Sequence, residues 1–233
     1  MNPKQLKQLY GPEYPTAVIL DSVRMPLVKE TRFSRFYENK KRKRGTMISR
    51  FMDGSAKITL VELKRIWPTL PAQERTDFSQ ECCWLHEQAD FPRMLRFVMK
   101  HGDHGQWSAI AQNIASYLPK QEAFDFLNRA LAGAKIGGGS NLGQAIGLTK
   151  HPKAVQVLRG RLKRVWNYRS LWQDDKFINW PAFEATTSIA HLLELDALPG
   201  DFEAQVRKLS RHACSGNRES SRNFLGKYYE WLR

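Results

Sequence analysis

The sequence is poor in cysteine: of its 233 residues only Cys82, Cys83 and Cys214 carry thiols, and the first two are adjacent. Three such residues build no disulfide framework, so a small stapled extracellular scaffold is excluded. A reducing compartment is the expected setting: the cytoplasm, or the nucleus if the host is eukaryotic. Long apolar runs are missing too. None approaches the roughly 18 to 20 residues that span a bilayer, so no membrane partner is expected. Behind Met1-Asn2-Pro3-Lys4 there is no apolar segment of the kind a signal peptide needs. Nucleophile elbows, Cys–His signatures and carboxylate pairs placed for acid–base work are also lacking. These absences point away from catalysis, and no cofactor is expected.

Carboxylates are in short supply. Against 37 Lys and Arg stand 23 Asp and Glu, a formal charge of +14. Residues 1–66 carry 15 cations and 6 anions, about +9, and the remainder 22 and 17, about +5. Such a field speeds encounter with anionic partners, nucleic acid first among them. It says nothing about fold. Hydrophobic residues make up 42% of the chain, enough for a buried core, so wholesale disorder is excluded.

The period of the apolar residues divides the chain near residue 58. Before it, Pro12, Pro15 and Pro26 break any long helix. Segments 31–37 and 46–52 flank the run Asn39-Lys40-Lys41-Arg42-Lys43-Arg44-Gly45, which predicts a β-hairpin with a basic tip. From Thr59 the spacing turns helical. Thr59 and Glu62 have capping-box spacing, and Leu60, Leu63 and Trp67 share a face. Pro71 fits the first turn of a helix running to about Ala89. Further helices are expected over 91–101, 105–117, 120–134, 140–149, 152–166, 181–196, 200–213 and 218–232.

Four proline anchors mark the connections. Phe91-Pro92, Leu118-Pro119, His151-Pro152 and Leu198-Pro199 each precede an apolar helix. In three cases the helix before the proline is rich in small and aliphatic residues, as in Leu142-Gly143 through Ala145-Ile146-Gly147. A small-residue helix lets its neighbours approach closely while a bulkier partner fills the next groove. A single such hairpin cannot bury its apolar face, so hairpins stack. Over roughly residues 71–232 this pattern resembles HEAT or armadillo-type helical repeats, with irregular anchor spacing and an insertion between Trp166 and Trp180. A non-repetitive helical bundle is the plain alternative. In the last helix, Phe224, Leu225, Tyr228 and Leu232 should cover helices 181–196 and 200–213, leaving Arg218, Arg222 and Lys227 outward.

Several motifs carry chemistry. Five consecutive cations, Lys40 to Arg44, cannot be buried and project into water or onto an anion. Phe33, Phe36, Tyr37 and Phe51 flank them, either to stack on bases or to pack the hairpin down. Helix 152–166 carries Lys153, Arg159, Arg161, Lys163 and Arg164, expected outside a stripe of Val155, Leu158, Leu162 and Val165. These cations either complement the helix dipole or form a phosphate-binding strip. Gly137-Gly138-Gly139-Ser140 lacks the Gly-Lys-Ser/Thr of a phosphate loop and reads as a flexible loop with a helix cap. His101, His104, His191, Glu194, His212 and Cys214 lack paired ligand spacing, so no zinc site is expected. Asp174-Asp175 reads as a solvated pair within the insertion. HEAT-like alkylpurine DNA glycosylases are also basic, helical and of similar length. Their tryptophan and aspartate pattern is not reproduced around Gln106-Trp107-Ser108, so their catalytic residues do not transfer.

The sequence therefore predicts a mainly α chain: a basic segment over 1–58 with a small β-hairpin, then a HEAT-like α–α superhelix over 59–233. The leading expectation is a non-catalytic scaffold whose concave helix faces bind a protein partner. The alternative is a nucleic-acid-binding module with candidate contacts Lys40, Lys41, Arg42, Lys43, Arg44, Arg159, Lys163 and Arg164. A glycosylase-type enzyme is third.

Overall fold

The computed structural model describes residues 58–86, 88–173, 178–197 and 199–232. Among them are ten α-helices and no strand. The expected basic hairpin, with Lys40 to Arg44, lies outside the described residues, as do Asp174 and Asp175. No helix among the described residues is long and apolar enough to cross a membrane. The chain divides into two compact units, one ending at Pro119 and one beginning at Lys120.

In the first unit α1 (Leu60–Ile66) starts at the Thr59 box. The Thr59 hydroxyl accepts from the Glu62 N–H at 3.2 Å, and Glu62 Oε2 accepts from the Thr59 N–H at 2.8 Å. The Thr59 N–H foremost, and next its hydroxyl, which donates to Glu62 Oε2 at 2.9 Å, hold the Glu62 carboxyl below its ordinary value. The expected helix to Ala89 is shorter: α2 (Ala72–Glu81) tightens into a 3₁₀ turn, Cys82–Leu85. Pro71 caps α2 rather than lying in its first turn. Then come α3 (Phe91–His101) and α4 (His104–Tyr117), with α4 packed on both α2 and α3. Trp67 centres this core, meeting Phe78 and Phe97 edge-on at 6.0 and 5.7 Å. Asp103 caps α4, accepting from the Gly105 and Gln106 N–H groups. Asp103, four residues before Trp107, thus serves the helix start.

The second unit holds α5 (Lys120–Gly133), α6 (Ser140–Leu148), α7 (Ala154–Trp166), α8 (Trp180–Glu194), α9 (Phe202–Leu209) and α10 (Ser215–Leu232). Sequential partners α5 and α6, α7 and α8, and α9 and α10 pack together, and α6, α8 and α10 pack in succession. Helix α8 is central and buried on all sides from Ala182 to Leu192, as a helix surrounded by others must be. Its neighbour α6 buries Gly143, Ala145 and Gly147, the small residues that allow close approach. Phe224 of α10 is fully buried and Arg222 is exposed, as expected. Arg218, expected outward, is half-buried because it donates to the carbonyls of His212 and Ala213.

Candidate functional site: a basic, tryptophan-lined cleft on α7

Helix α7 is where the sequence concentrates charge and where the structure sorts it. Ala154, Leu158, Arg161, Leu162 and Val165 are buried. Arg161 was expected on the outer face; it is instead 3% exposed and paired with Glu184, itself 1% exposed, at 2.6 Å. Its remaining N–H groups donate to the carbonyls of Leu131, Ala134 and Lys135 at the end of α5. Glu184 Oε2 accepts from the Gly137 N–H. A planar guanidinium fork suits this pairing of a carboxylate with orphaned helix carbonyls.

The same network corrects the reading of the glycine loop. It is clamped between Arg161 and Glu184. Gly137 adopts φ +96°, and a Cβ on Gly139 would lie 2.2 Å from Glu184 Oε1. Glycine is therefore required by close packing and backbone conformation rather than by an anion. Gly139 caps α6 through its backbone, with no side-chain hydrogen bond.

The other cations of α7 reach solvent. Arg159 and Lys163, one turn apart, border a cleft of about 400 Å³ whose walls include Leu162, Trp166, Asn167, Pro199, Gly200 and Gln205. Arg159 Nη2 donates to the Ala197 carbonyl at 3.1 Å, tying α7 to the loop before α9. Arg164 points to the opposite flank, into a smaller groove with Asn128, Ala132, Gln156 and Gly160. The structure thus brings Arg159 and Lys163 together and sets Arg164 across the ridge of α7.

Aromatic rings close one end of the cleft. Trp166 meets Trp172 edge-on at 5.7 Å, and Trp172 stacks on His212. Lys208 Nζ sits 4.6 Å from the Trp172 ring centre and 5.9 Å from that of Trp166, a cation–π arrangement. His212 is fixed by both nitrogens: Nε2 donates to the Leu171 carbonyl at 2.8 Å and Nδ1 accepts from the Cys214 N–H at 3.0 Å. Asn179 and Asn217 exchange backbone and amide hydrogen bonds beside them, so the described part of the 167–179 insertion is pinned to α10. Gln205 completes the wall. Its Nε2 donates to Asp201 at 2.9 Å, which orients the amide and turns Oε1 inward. That oxygen is buried with no hydrogen-bond partner among the described residues.

The weighed histidines do not converge on a metal. Among the described residues no group of three or more His, Cys, Asp or Glu could hold an ion. His191 faces Glu194 at 3.5 Å and the Ser140 carbonyl.

One signal escaped the sequence reading although it lies in plain view. Between Asp125 and Asp174 there is no carboxylate, while Arg129, Lys135, Lys150, Lys153, Arg159, Arg161, Lys163, Arg164 and Arg169 all fall there. All of these but Arg161 are exposed. Gln205 in the cleft wall, and Lys208 over the Trp166 and Trp172 rings, carry no such signal, because they come from another helix. Comparison with known proteins finds no matching family model, no matching curated protein and no matching solved structure.

Proposed function

We propose that this chain is a non-catalytic helical binding module that holds nucleic acid along the outer face of α7. The observation that carries the reading is the carboxylate-free stretch 126–173, whose cations reach solvent except for the one that Glu184 neutralises. A surface of one sign with no internal counter-charge gains most from phosphate, because each contact releases condensed counterions. Arg159 and Lys163, one turn apart, flank a cleft with a tryptophan wall, the combination of cation and aromatic that single strands use. Within this proposal the pairing of α5 with α6, α7 with α8 and α9 with α10 supports a short HEAT-like stack. The Lys40 to Arg44 run adds a second set of phosphate contacts on a basic hairpin, and the buried thiols of Cys82 and Cys214, which form no disulfide, suit the cytoplasm.

The test is binding of a labelled oligonucleotide across a salt series. The logarithm of affinity should fall linearly with that of salt, by about 0.7 to 0.9 per phosphate contact. Replacing Arg159, Lys163 and Arg164 with alanine should lower that slope by roughly 2 to 3. A flat salt response, or a slope unchanged in the triple variant, would sink the reading.

A protein partner is the second reading, and one observation favours it: Trp180 at the start of α8 is 56% exposed. Large exposed aromatics are enriched at protein interfaces. A complex that survives both nuclease and the triple alanine change would establish that reading instead.

A further inference from the structure

Gly160 is the residue of α7 that neither conformation nor packing requires. It lies in the middle of the helix, its φ is outside the left-handed region, and a Cβ there would meet nothing within 4 Å. Glycine is among the poorest helix residues, because it loses the most backbone freedom on folding and packs no side chain. At Gly139 the absence of a side chain has an internal reason, the Glu184 carboxylate beside it. At Gly160 the fold supplies none. What remains is close approach to the helix by a group from outside the chain.

The neighbouring residues define that group. With 3.6 residues per turn, Lys153, Gln156, Gly160 and Asn167 share the outermost face of α7, and all four are exposed. On one side of this crest Arg159 and Lys163 border the cleft toward α9. On the other, Arg164 lines a groove of about 240 Å³ toward α5, with Asn128 and Ala132. Gly160 is therefore a gap in the crest, open to a recess on each side, and each recess has its own cations. The side chains of Gln156, Lys163 and Arg164 have no hydrogen-bond partner or counter-charge among the described residues. A ligand that fits is anionic and continues through the gap, so that its charge is met on both sides. The gap is one residue wide. It admits one sugar–phosphate backbone, whereas a duplex would rest on the long side chains around it.

We infer that a single nucleic-acid strand crosses α7 at Gly160, with its backbone against the helix there. Its neighbouring phosphates are held by Arg159 and Lys163 on one side and by Arg164 on the other. This rests on the nucleic-acid reading above and deepens it, adding the path of the strand and the feature that separates single strands from duplexes.

The experiment uses the full chain, Gly160→Ala and Gly160→Leu, with a fluorescent single-stranded 20-nucleotide DNA and the same strand annealed to its complement. Both variants should melt no lower than the parent, since each places a better helix former in open space. Gly160→Leu should bind the single strand at least about tenfold more weakly, with a salt slope lower by about 0.7 to 1.4, because a backbone lifted off the helix loses one or two phosphate contacts. Gly160→Ala should fall between parent and leucine variant, and duplex affinity should be unchanged in both. Equal single-strand affinity of parent and leucine variant, or an equal loss on the duplex, overturns the crossing and leaves the polyanion reading standing. Failure of the parent to bind either probe at low salt overturns both. Should Gly160→Leu melt lower than the parent, Gly160→Ala decides: at an unlowered melting temperature it must still bind the single strand more weakly.

Discussion

The unit ending at Pro119 and the unit beginning at Lys120 are made of helices of similar length joined by similarly short turns, yet their interiors differ in kind. The first is closed by rings and aliphatics around Trp67, and among the described residues its buried polar ones are Ser79 and Gln106. Gln106 serves a helix cap and Ser79 bonds its own helix at Arg75. The second buries Arg161, Glu184, Asn179, Asn217, His191, His212 and a run of hydroxyls on α8. Thr186 and Ser221 share a hydrogen bond between α8 and α10, and Thr187 bonds Ser140 on α6. Apolar packing tolerates small shifts of one helix against another. Directional polar bonds do not, so the second unit fixes the glycine loop and the described part of the insertion as well as its helices. The cleft is on the unit whose loops are fixed.

The largest test of this contrast is Arg161→Ala. It leaves Glu184 buried without its counter-charge and three helix-end bonds unmade, at a cost of about 3 to 5 kcal/mol. Denaturant unfolding of the variant should register that loss, and hydrogen exchange should place it in α5, α7 and α8. The paired change Arg161→Met with Glu184→Leu should recover most of it, because a buried ion pair gives little net stability over apolar residues of its size. If the single change costs under about 1 kcal/mol, the polar interior is incidental and the two units differ only in composition.

A middle-sized effect is expected at Gly139→Ala. The added methyl would meet Glu184 Oε1 at 2.2 Å and Leu131 Cδ1 at 2.8 Å, so the clamp must open or the loop must move. Overpacking of this kind costs about 1 to 3 kcal/mol. The same substitution at Gly160, where nothing lies within 4 Å, should be neutral or slightly stabilising. Equal melting temperatures for the two variants would deny the clamp its role.

The smallest effect belongs to the first unit. The Glu62 carboxyl titrates below its ordinary value in the folded chain because Thr59 donates to it. A folded-state value lower than the unfolded one means its contribution is complete above the unfolded value and is lost as pH falls through the folded one. Protection of the amides in the first turn of α1, taken against the intrinsic exchange rate at each pH, should therefore fall as the solution is acidified through the carboxylate range, and Glu62→Gln should lessen that dependence. The group is fully exposed, so global stability should scarcely move.

Much of the helical layout was legible, and the reasons are local. Thr59 with Glu62 announced α1, Pro92 opened α3, and 91–101 emerged with the ends read from its apolar spacing. What stayed hidden needs residues far apart in the chain. Residues 154, 158, 161 and 165 follow helical spacing, so periodicity alone places Arg161 on the buried stripe. Its charge argued otherwise, and its partner lies 23 residues away. The inward oxygen of Gln205 is likewise set by the meeting of α7 with α9. No change of composition marks the division at Pro119, because both sides share one periodicity and one style of turn. The cations of α7 were visible as a cluster; that they split between two flanks required the helix to have neighbours.

The clamp also sets a timetable for the chain as it is made. Leu131, Ala134 and Lys135 appear first, Arg161 next, and Glu184 last, 23 residues after Arg161. At about 5 to 20 residues per second, that final gap lasts roughly one to five seconds. Until it closes, α5 ends on carbonyls bonded to water, and α7 carries a guanidinium that cannot be buried without its carboxylate. The nascent second unit therefore has no stable halfway house at α7. It closes when α8 emerges, and the glycine loop, the floor of α6 and the outer face of α7 become fixed in the same event.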